Sequence, residues 1–160
     1  HGLYEWDVRV PLIMKFPNKL PTGVKIEGIV TQEDIVPTIL DLVDIKFEYN
    51  FNGKSLLPLI ENREKGKSFV ICIENTRMTK RAIRTEKWKL IQTLRPDIYG
   101  NPAGYIELYN LKVGEYENLA SNNPDIVKDL LLTMETWYRR KLNGKPDPLM
   151  TQEISLPLGD

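Results

Sequence analysis

Apolar positions along the chain follow two kinds of pattern, and the change comes near Ser68. Before it, Val8-Arg-Val-Pro-Leu-Ile-Met14 is a short, nearly continuous apolar run closed by Phe16-Pro17-Asn18. Such a run predicts a strand covered on both faces, as in a parallel sheet flanked by helices. Pro11 carries no ladder donor and belongs at a strand start, so the regular strand is placed from Pro11 to Met14. Thr31-Gln-Glu-Asp34 then reads as a helix N-terminus, with a capping threonine and carboxylates at the positive end of the dipole. Ile35, Ile39, Leu40, Leu42 and Val43 make the helical stripe, with Pro37 in the first turn or at a kink. Ser55 to Ile60 is a second short helical turn, and Glu61 to Lys67 a polar loop.

After Ser68 the segments shorten. Phe69-Val-Ile-Cys-Ile73, Arg81-Ala-Ile-Arg84, Lys87-Trp-Lys-Leu-Ile91 and Tyr105-Ile-Glu-Leu-Tyr109 read as an antiparallel meander. Thr85-Glu86 is the tight connection between the second and third, without the Asn-Gly signature of the commonest hairpin turns. Asn123-Pro124 opens the clearest helix, by a capping asparagine and a proline at the first helical position. Its apolar face runs from Ile126 and Val127 through Leu130, Leu131 and Met134 to Trp137 and Tyr138. Gly144 closes the helix, and that face predicts a lid on the small sheet. The tail from Lys145 to Asp160, with three prolines, is expected to run extended. No internal repeat is visible. The pattern divides the chain into an α/β piece over residues 1–62, an α+β piece over 63–144 and a tail over 145–160.

Composition narrows the chemistry. The chain has 160 residues, and 22 Lys plus Arg balance 22 Asp plus Glu. There is thus no basic field for nucleic acid or anionic lipid. No run is long and apolar enough to predict a membrane segment. One histidine, His1, and one cysteine, Cys72, cannot make a Cys/His zinc cluster, a disulfide framework or a paired-histidine site. Any chemistry done by the chain alone would fall to carboxylates, lysines, arginines or hydroxyls. An opening His-Gly-Leu-Tyr without methionine or leader suggests a chain that begins inside something larger.

Local motifs have bland readings. Gly53-Lys54-Ser55 imitates the end of a phosphate loop, but Glu48 stands where the upstream glycine is required. Asp41 and Asp44 lack the spacing of a Ca²⁺ loop and read as a solvated helix end. Cys72 reads as a small buried hydrophobe. Asn75 to Lys80 is a polar connection in which Arg77 and Lys80 could face an anion.

Several segments, taken in order, carry more. They are His1-Gly-Leu-Tyr-Glu5 with Val8-Arg-Val-Pro-Leu-Ile13, Val30-Thr-Gln-Glu-Asp-Ile-Val-Pro-Thr-Ile-Leu40, Asn52-Gly-Lys-Ser-Leu-Leu-Pro58, Arg81-Ala-Ile-Arg-Thr-Glu-Lys-Trp-Lys-Leu-Ile91, Glu107-Leu-Tyr-Asn-Leu111 and Glu117-Asn-Leu119. In this order and spacing the chain resembles the C-terminal portion of a type I sulfatase of the alkaline-phosphatase superfamily. The resemblance implies the last strand and helix of an α/β catalytic layer, followed by a four-stranded antiparallel sheet packed by a C-terminal helix. It implies a parent enzyme hydrolysing sulfate esters with Ca²⁺ or Mg²⁺ and a formylglycine nucleophile. The Cys/Ser-x-Pro-x-Arg motif and the metal-binding aspartates of that family are absent here, and Cys72 is followed by Ile-Glu-Asn. The expectation is therefore an inactive fragment with no catalytic residue, no metal ligand and no bound cofactor of its own.

One position carries over. His1 matches the family histidine beside the sulfate group, where a donor suits the charge developing on the ester oxygen. Read without the resemblance, it is equally a frayed end or a cloning remnant. Two other functions remain open at this stage: a phosphodiesterase or phosphonate hydrolase of the same superfamily, and a non-catalytic α+β binding module. If the α/β layer is incomplete, Pro11–Met14 and the Ile35–Val43 stripe form an exposed apolar patch that favours self-association.

Overall fold

The structure is a computed structural model in which residues 2–151 are described. Its four strands, β1 (Phe69–Glu74), β2 (Lys80–Thr85), β3 (Trp88–Thr93) and β4 (Ile106–Asn110), lie in one sheet in sequence order. β2 pairs antiparallel with β3, and β3 with β4, as a meander requires. By compactness the chain forms two units, one of residues up to Val10 and from Ile71 onward, the other Pro11–Val70. The boundary falls inside β1.

In the first unit, pairing register assigns each side chain to a face. Ile83, Leu90 and Leu108 stand opposite one another and are fully buried. The long helix, Pro124–Leu142, packs on β2 and β3. It covers this face, for Arg81 of β2 lies 4.9 Å over the helix's Tyr138 ring and donates from Nε to Gln92 of β3 at 2.8 Å. Leu130, Met134 and Tyr138 are its buried line, and Ile126, Val127, Leu131 and Trp137 flank them half-buried. The expected lid is present. Its N-terminal cap is not the expected one: Asn123 makes no side-chain bond to the helix, and its Nδ2 donates back to the Leu119 carbonyl at 3.0 Å. At the other end Asn143 takes the left-handed conformation (φ 47°) ahead of Gly144 (φ 80°). Pro148–Thr151 forms one helical turn where an extended tail was expected, started by Asp147 Oδ1, which accepts the Leu149 N–H at 2.9 Å.

The connection from β2 to β3 is Glu86-Lys87, flanked by Thr85 and Trp88. Neither loop residue has positive φ, so the turn is not of the Asn-Gly kind. Instead the Thr85 hydroxyl accepts the Trp88 N–H at 2.9 Å and donates to the Trp88 carbonyl at 3.0 Å.

In the second unit a 3-10 turn at Gln32–Asp34 leads into the helix Ile35–Leu42, and Leu57–Ile60 forms a second short helix. Pro37 sits in the first turn, where no intrahelical N–H bond is lost. Asp34, 1% exposed, is the hub. Its Oδ2 accepts the Thr31 N–H at 2.8 Å and Lys67 Nζ at 2.7 Å, and its Oδ1 accepts the Lys54 N–H at 2.9 Å. Thr38 accepts the Leu56 N–H with its hydroxyl oxygen. The Thr31–Leu40 and Asn52–Pro58 segments are thus bonded to each other. Burial pushes the Asp34 carboxyl up, but hydrogen bonds from Lys67, Lys54 and Thr31 and the Lys67 charge outweigh it and hold the group below its ordinary pKa.

The strand expected at Pro11–Met14 is not formed: the segment pairs with no neighbour among the described residues. A strand is a paired object, and Pro11 has no donor to begin one. Here the segment edges a groove of about 290 Å³, lined on one side by Leu12, Ile13 and Met14 and on the other by Ile35, Ile39 and Val43.

Candidate functional site

The second face of the sheet carries polar residues at alternate positions. Register places Lys80 opposite Thr93, Ala82 opposite Ile91 and Ile91 opposite Glu107, and Arg84 opposite Lys89 and Lys89 opposite Tyr109. An alternation of this kind on an open sheet would face water. Instead Lys80, Lys89, Thr93, Glu107 and Tyr109 are all buried. The N-terminal residues cover them: Leu3 joins Ala82, Ile91 and Tyr109 in a core cluster, with Tyr4, Val8 and Cys72 packed against it. Residues Glu5–Val8 form a single helical turn, in which the Tyr4 carbonyl accepts the Asp7 and Val8 N–H groups.

Two charge clusters join this segment to the sheet. In the first, Lys89 Nζ lies 2.7 Å from Glu5 Oε1 and 2.9 Å from Glu115 Oε1. Arg84 grips the same Glu5 carboxylate through Nε and Nη2, each at 3.1 Å. Glu115 Oε2 accepts the Glu5 N–H at 2.7 Å. Two cations therefore meet two carboxylates, and Lys89, fully buried, is matched on both sides. Burial raises the Glu5 pKa, but the bonds and charges of Arg84 and Lys89 win and lower it overall.

In the second cluster Glu107 Oε1 accepts both the Tyr4 hydroxyl at 2.6 Å and the Tyr109 hydroxyl at 2.7 Å. Lys80 Nζ lies 2.7 Å from Asp97 Oδ2 and 3.7 Å from Glu107 Oε2. Asp97 also accepts the N–H groups of Tyr99 and Asn101 and the Asn101 side-chain amide, each at 2.9 Å. Against the upward push of burial, Lys80 and Asn101 lower the Asp97 pKa to about 2. Burial and the adjacent Glu107 carboxylate raise both tyrosines, which stay neutral donors. The three cations Lys80, Arg84 and Lys89 are all spent on the carboxylates of Glu5, Asp97, Glu107 and Glu115 within the assembly. These bonds tie Tyr4 and Glu5 to the sheet.

The residues singled out by sequence fall as follows. His1 lies outside the described residues; it adjoins Gly2, which begins the clamped segment. Gly53-Lys54-Ser55 spends its donors internally, Lys54 N–H on Asp34 and the Ser55 hydroxyl on Asp41 at 2.6 Å. Asp44, in the left-handed conformation, pairs with Lys19 at the end of its helix. Cys72 is half-buried against the core cluster that contains Leu3, and burial raises its thiol pKa. Lys80 does not face solvent as a loop cation would; it is buried on Asp97. Among the described residues no group of three His, Cys, Asp or Glu side chains is placed to hold a metal. Tyr4 and Glu5 were visible in the sequence as motif residues. Lys89 and Glu107 also lie in the motif segments and Lys80 in the polar connection, but nothing marked them as buried, and Asp97 and Glu115 were not singled out at all. For Lys89 and Glu107 the one signal was a charged residue alternating with apolar ones in a strand-like segment, which sequence alone assigns to water.

A four-stranded meander covered by one helix, with the N-terminal segment docked on its other face, is an α+β architecture. A solved structure described as a complex with its substrate D-glucosamine-2-N,6-O-disulfate shares the fold, with a TM-score of 0.68 at 22% identity over 84% of this chain and 29% of that one. Residues 2–136 match the family model described as N-sulphoglucosamine sulphohydrolase, C-terminal, and the chain belongs to that family. Arylsulfatase K from Homo sapiens is 31% identical over 81% of this chain, and an N-acetylglucosamine-6-O-sulfatase from Bacteroides thetaiotaomicron 26% identical over 91%. The chain spans 25% and 27% of those two relatives.

Proposed function

We propose that the chain is the C-terminal part of a sulfatase hydrolysing sulfate esters, and that its sheet anchors one wall of the pocket. The match of residues 2–136 to the sulfatase C-terminal family carries this reading. In it, residues 1–62 end the catalytic α/β domain, 63–144 form the C-terminal subdomain and 145–160 the tail. His1 contacts the sulfate, donating to an oxygen on which negative charge develops. Two relatives bear the names N-acetylglucosamine-6-O-sulfatase and ulvan-active sulfatase, which supports a sulfated saccharide as the substrate class.

Ca²⁺ or Mg²⁺ and formylglycine belong to the parent enzyme. The residues described here do not fit them. Asp34, Asp97, Glu5 and Glu115 are already committed to Lys67, Lys80, Arg84 and Lys89. Cys72 is a half-buried thiol packed against the core cluster. Beyond the contact of His1 with the sulfate, the nucleophile and the metal ligands come from the rest of the parent enzyme. The experiment compares sulfate release from an aryl sulfate and from glucosamine 6-sulfate by the 160-residue chain and by the complete enzyme. Turnover by the complete enzyme alone is expected. Metal-dependent turnover by the isolated chain would overturn the proposal, and so would a complete enzyme that cleaves phosphonate esters but no sulfate ester.

A further inference from the structure

We propose that Trp6, backed by Tyr4, is a stacking platform for a pyranose ring of the sulfated saccharide. The proposal rests on the saccharide reading of the substrate given above and deepens it by naming a contact. Its own basis is the turn Glu5–Val8 and what that turn presents. The Trp6 and Tyr4 rings are stacked, with centroids 4.5 Å apart and planes 20° from one another. Tyr4 in turn is fixed: its hydroxyl donates to Glu107 at 2.6 Å, and its ring meets Tyr109 edge-on at 5.9 Å. Glu5, between the two rings in sequence, is held by Arg84, Lys89 and Glu115. Trp6 is nevertheless 71% exposed. One indole face is thus occupied by Tyr4, and the other is open to solvent on a support pinned to the sheet.

The chemistry of the neighbours says which partner fits. Asp7 and Arg9 are exposed, and their side chains make no hydrogen bond or ion pair among the described residues. A Cβ at Gly2 would lie 2.8 Å from the Tyr4 ring and 3.5 Å from Asp7 Oδ2, so the Asp7 carboxylate stands beside the stack. Protein interfaces are depleted of charge at their centres. The surface of this chain that suits one is the aliphatic groove lined by Leu12, Ile13, Ile39 and Val43. An aromatic plane with an unpaired carboxylate beside it, and a guanidinium two residues further along, matches a sulfated sugar instead. The C–H face of a pyranose carries the small positive charge that a negative π face attracts. A carboxylate accepts from the ring's hydroxyls, and a guanidinium donates to a sulfate. Because the indole is already oriented, little side-chain entropy is lost when a sugar settles on it.

The test uses the complete enzyme and measures kcat and KM on sulfated monosaccharides, beginning with glucosamine 6-sulfate, for the parent, Trp6→Ala, Trp6→Phe and Asp7→Asn. We expect Trp6→Ala to raise KM about 10-fold. Its kcat should hold, because a stacking contact made equally in the ground and transition states sets KM alone. Trp6→Phe, which keeps an aromatic face, should recover most of the loss, and Asp7→Asn should raise KM less than Trp6→Ala does. An unchanged KM for Trp6→Ala would overturn the proposal. So would a phenylalanine no better than alanine, or a loss in kcat or thermal midpoint at constant KM, which marks a ring that only holds protein together. Should Trp6→Ala not fold, Asp7→Asn decides: a raised KM at constant kcat supports the platform, and an unchanged KM overturns it. A parent enzyme that turns over aryl sulfates but no sulfated monosaccharide would instead overturn the saccharide reading on which the platform rests.

Discussion

Lys89 shows how little the type of a residue says about its burial. In Trp88-Lys-Leu-Ile91 it alternates with apolar neighbours as a solvent-facing lysine does, yet it is fully buried between Glu5 and Glu115. Gly53 is a second case. It suggests a flexible phosphate loop, whereas a Cβ there would lie 2.0 Å from the Glu33 carbonyl oxygen, and glycine is needed so that Lys54 N–H can reach Asp34. The buried carboxylates make a prediction at this scale. Asp34, Glu5 and Asp97 have folded pKa values below their ordinary ones, Asp97 at about 2. Each contributes stability fully present above the unfolded carboxylate pKa of about 4 and lost as pH falls through the folded value. The urea midpoint is expected to drop between about pH 5 and pH 2, and Asp97→Asn to flatten the lower part of that drop while lowering the midpoint at neutral pH. A midpoint independent of pH over this range would contradict the ion-paired assignments.

At the scale of elements, periodicity was a sound guide wherever an element packs on something within the chain. All seven apolar positions predicted along Pro124–Leu142 are buried or half-buried, and each of the four strands predicted after Ser68 is found. Met134, 1% exposed, lies at the centre of that face, while Leu132, 61% exposed, lies off it. Met134→Ala should cost about 2–5 kcal/mol through lost burial and a residual cavity. Leu132→Ala should fall within about 0.5 kcal/mol of the parent. Urea unfolding of the two variants checks the assignment, and equal losses would refute the placement of the helix. What periodicity missed were local bonds. Asn123 turns away from its helix, and Thr85 makes a turn that no glycine signals.

At the scale of the whole molecule, the unfinished feature is the groove of the Pro11–Val70 unit. Ile13 is 89% exposed, and Ile39 and Val43 are 48% and 42% exposed. A contiguous apolar patch of this kind marks a surface that meets other protein. The 160-residue chain is expected to self-associate as its concentration rises, and Ile13→Glu with Ile39→Lys to shift it toward monomer. Light scattering over a concentration series measures this; a monomer at high concentration would count against it.

The amino-acid sequence by itself determined the elements of the sheet and its helical lid, the absence of a metal or nucleophile motif, and the family. Those properties reside in local periodicity and in motif order, which a linear chain displays. Tertiary structure alone decided that the N-terminal segment returns to cover the charged face, that Lys89 and Glu107 lie buried, and that Asp34 joins two distant segments. Each of these depends on which charge meets which across as many as 110 residues of chain, as from Glu5 to Glu115. A charged side chain carries the same letter whether water or a carboxylate satisfies it.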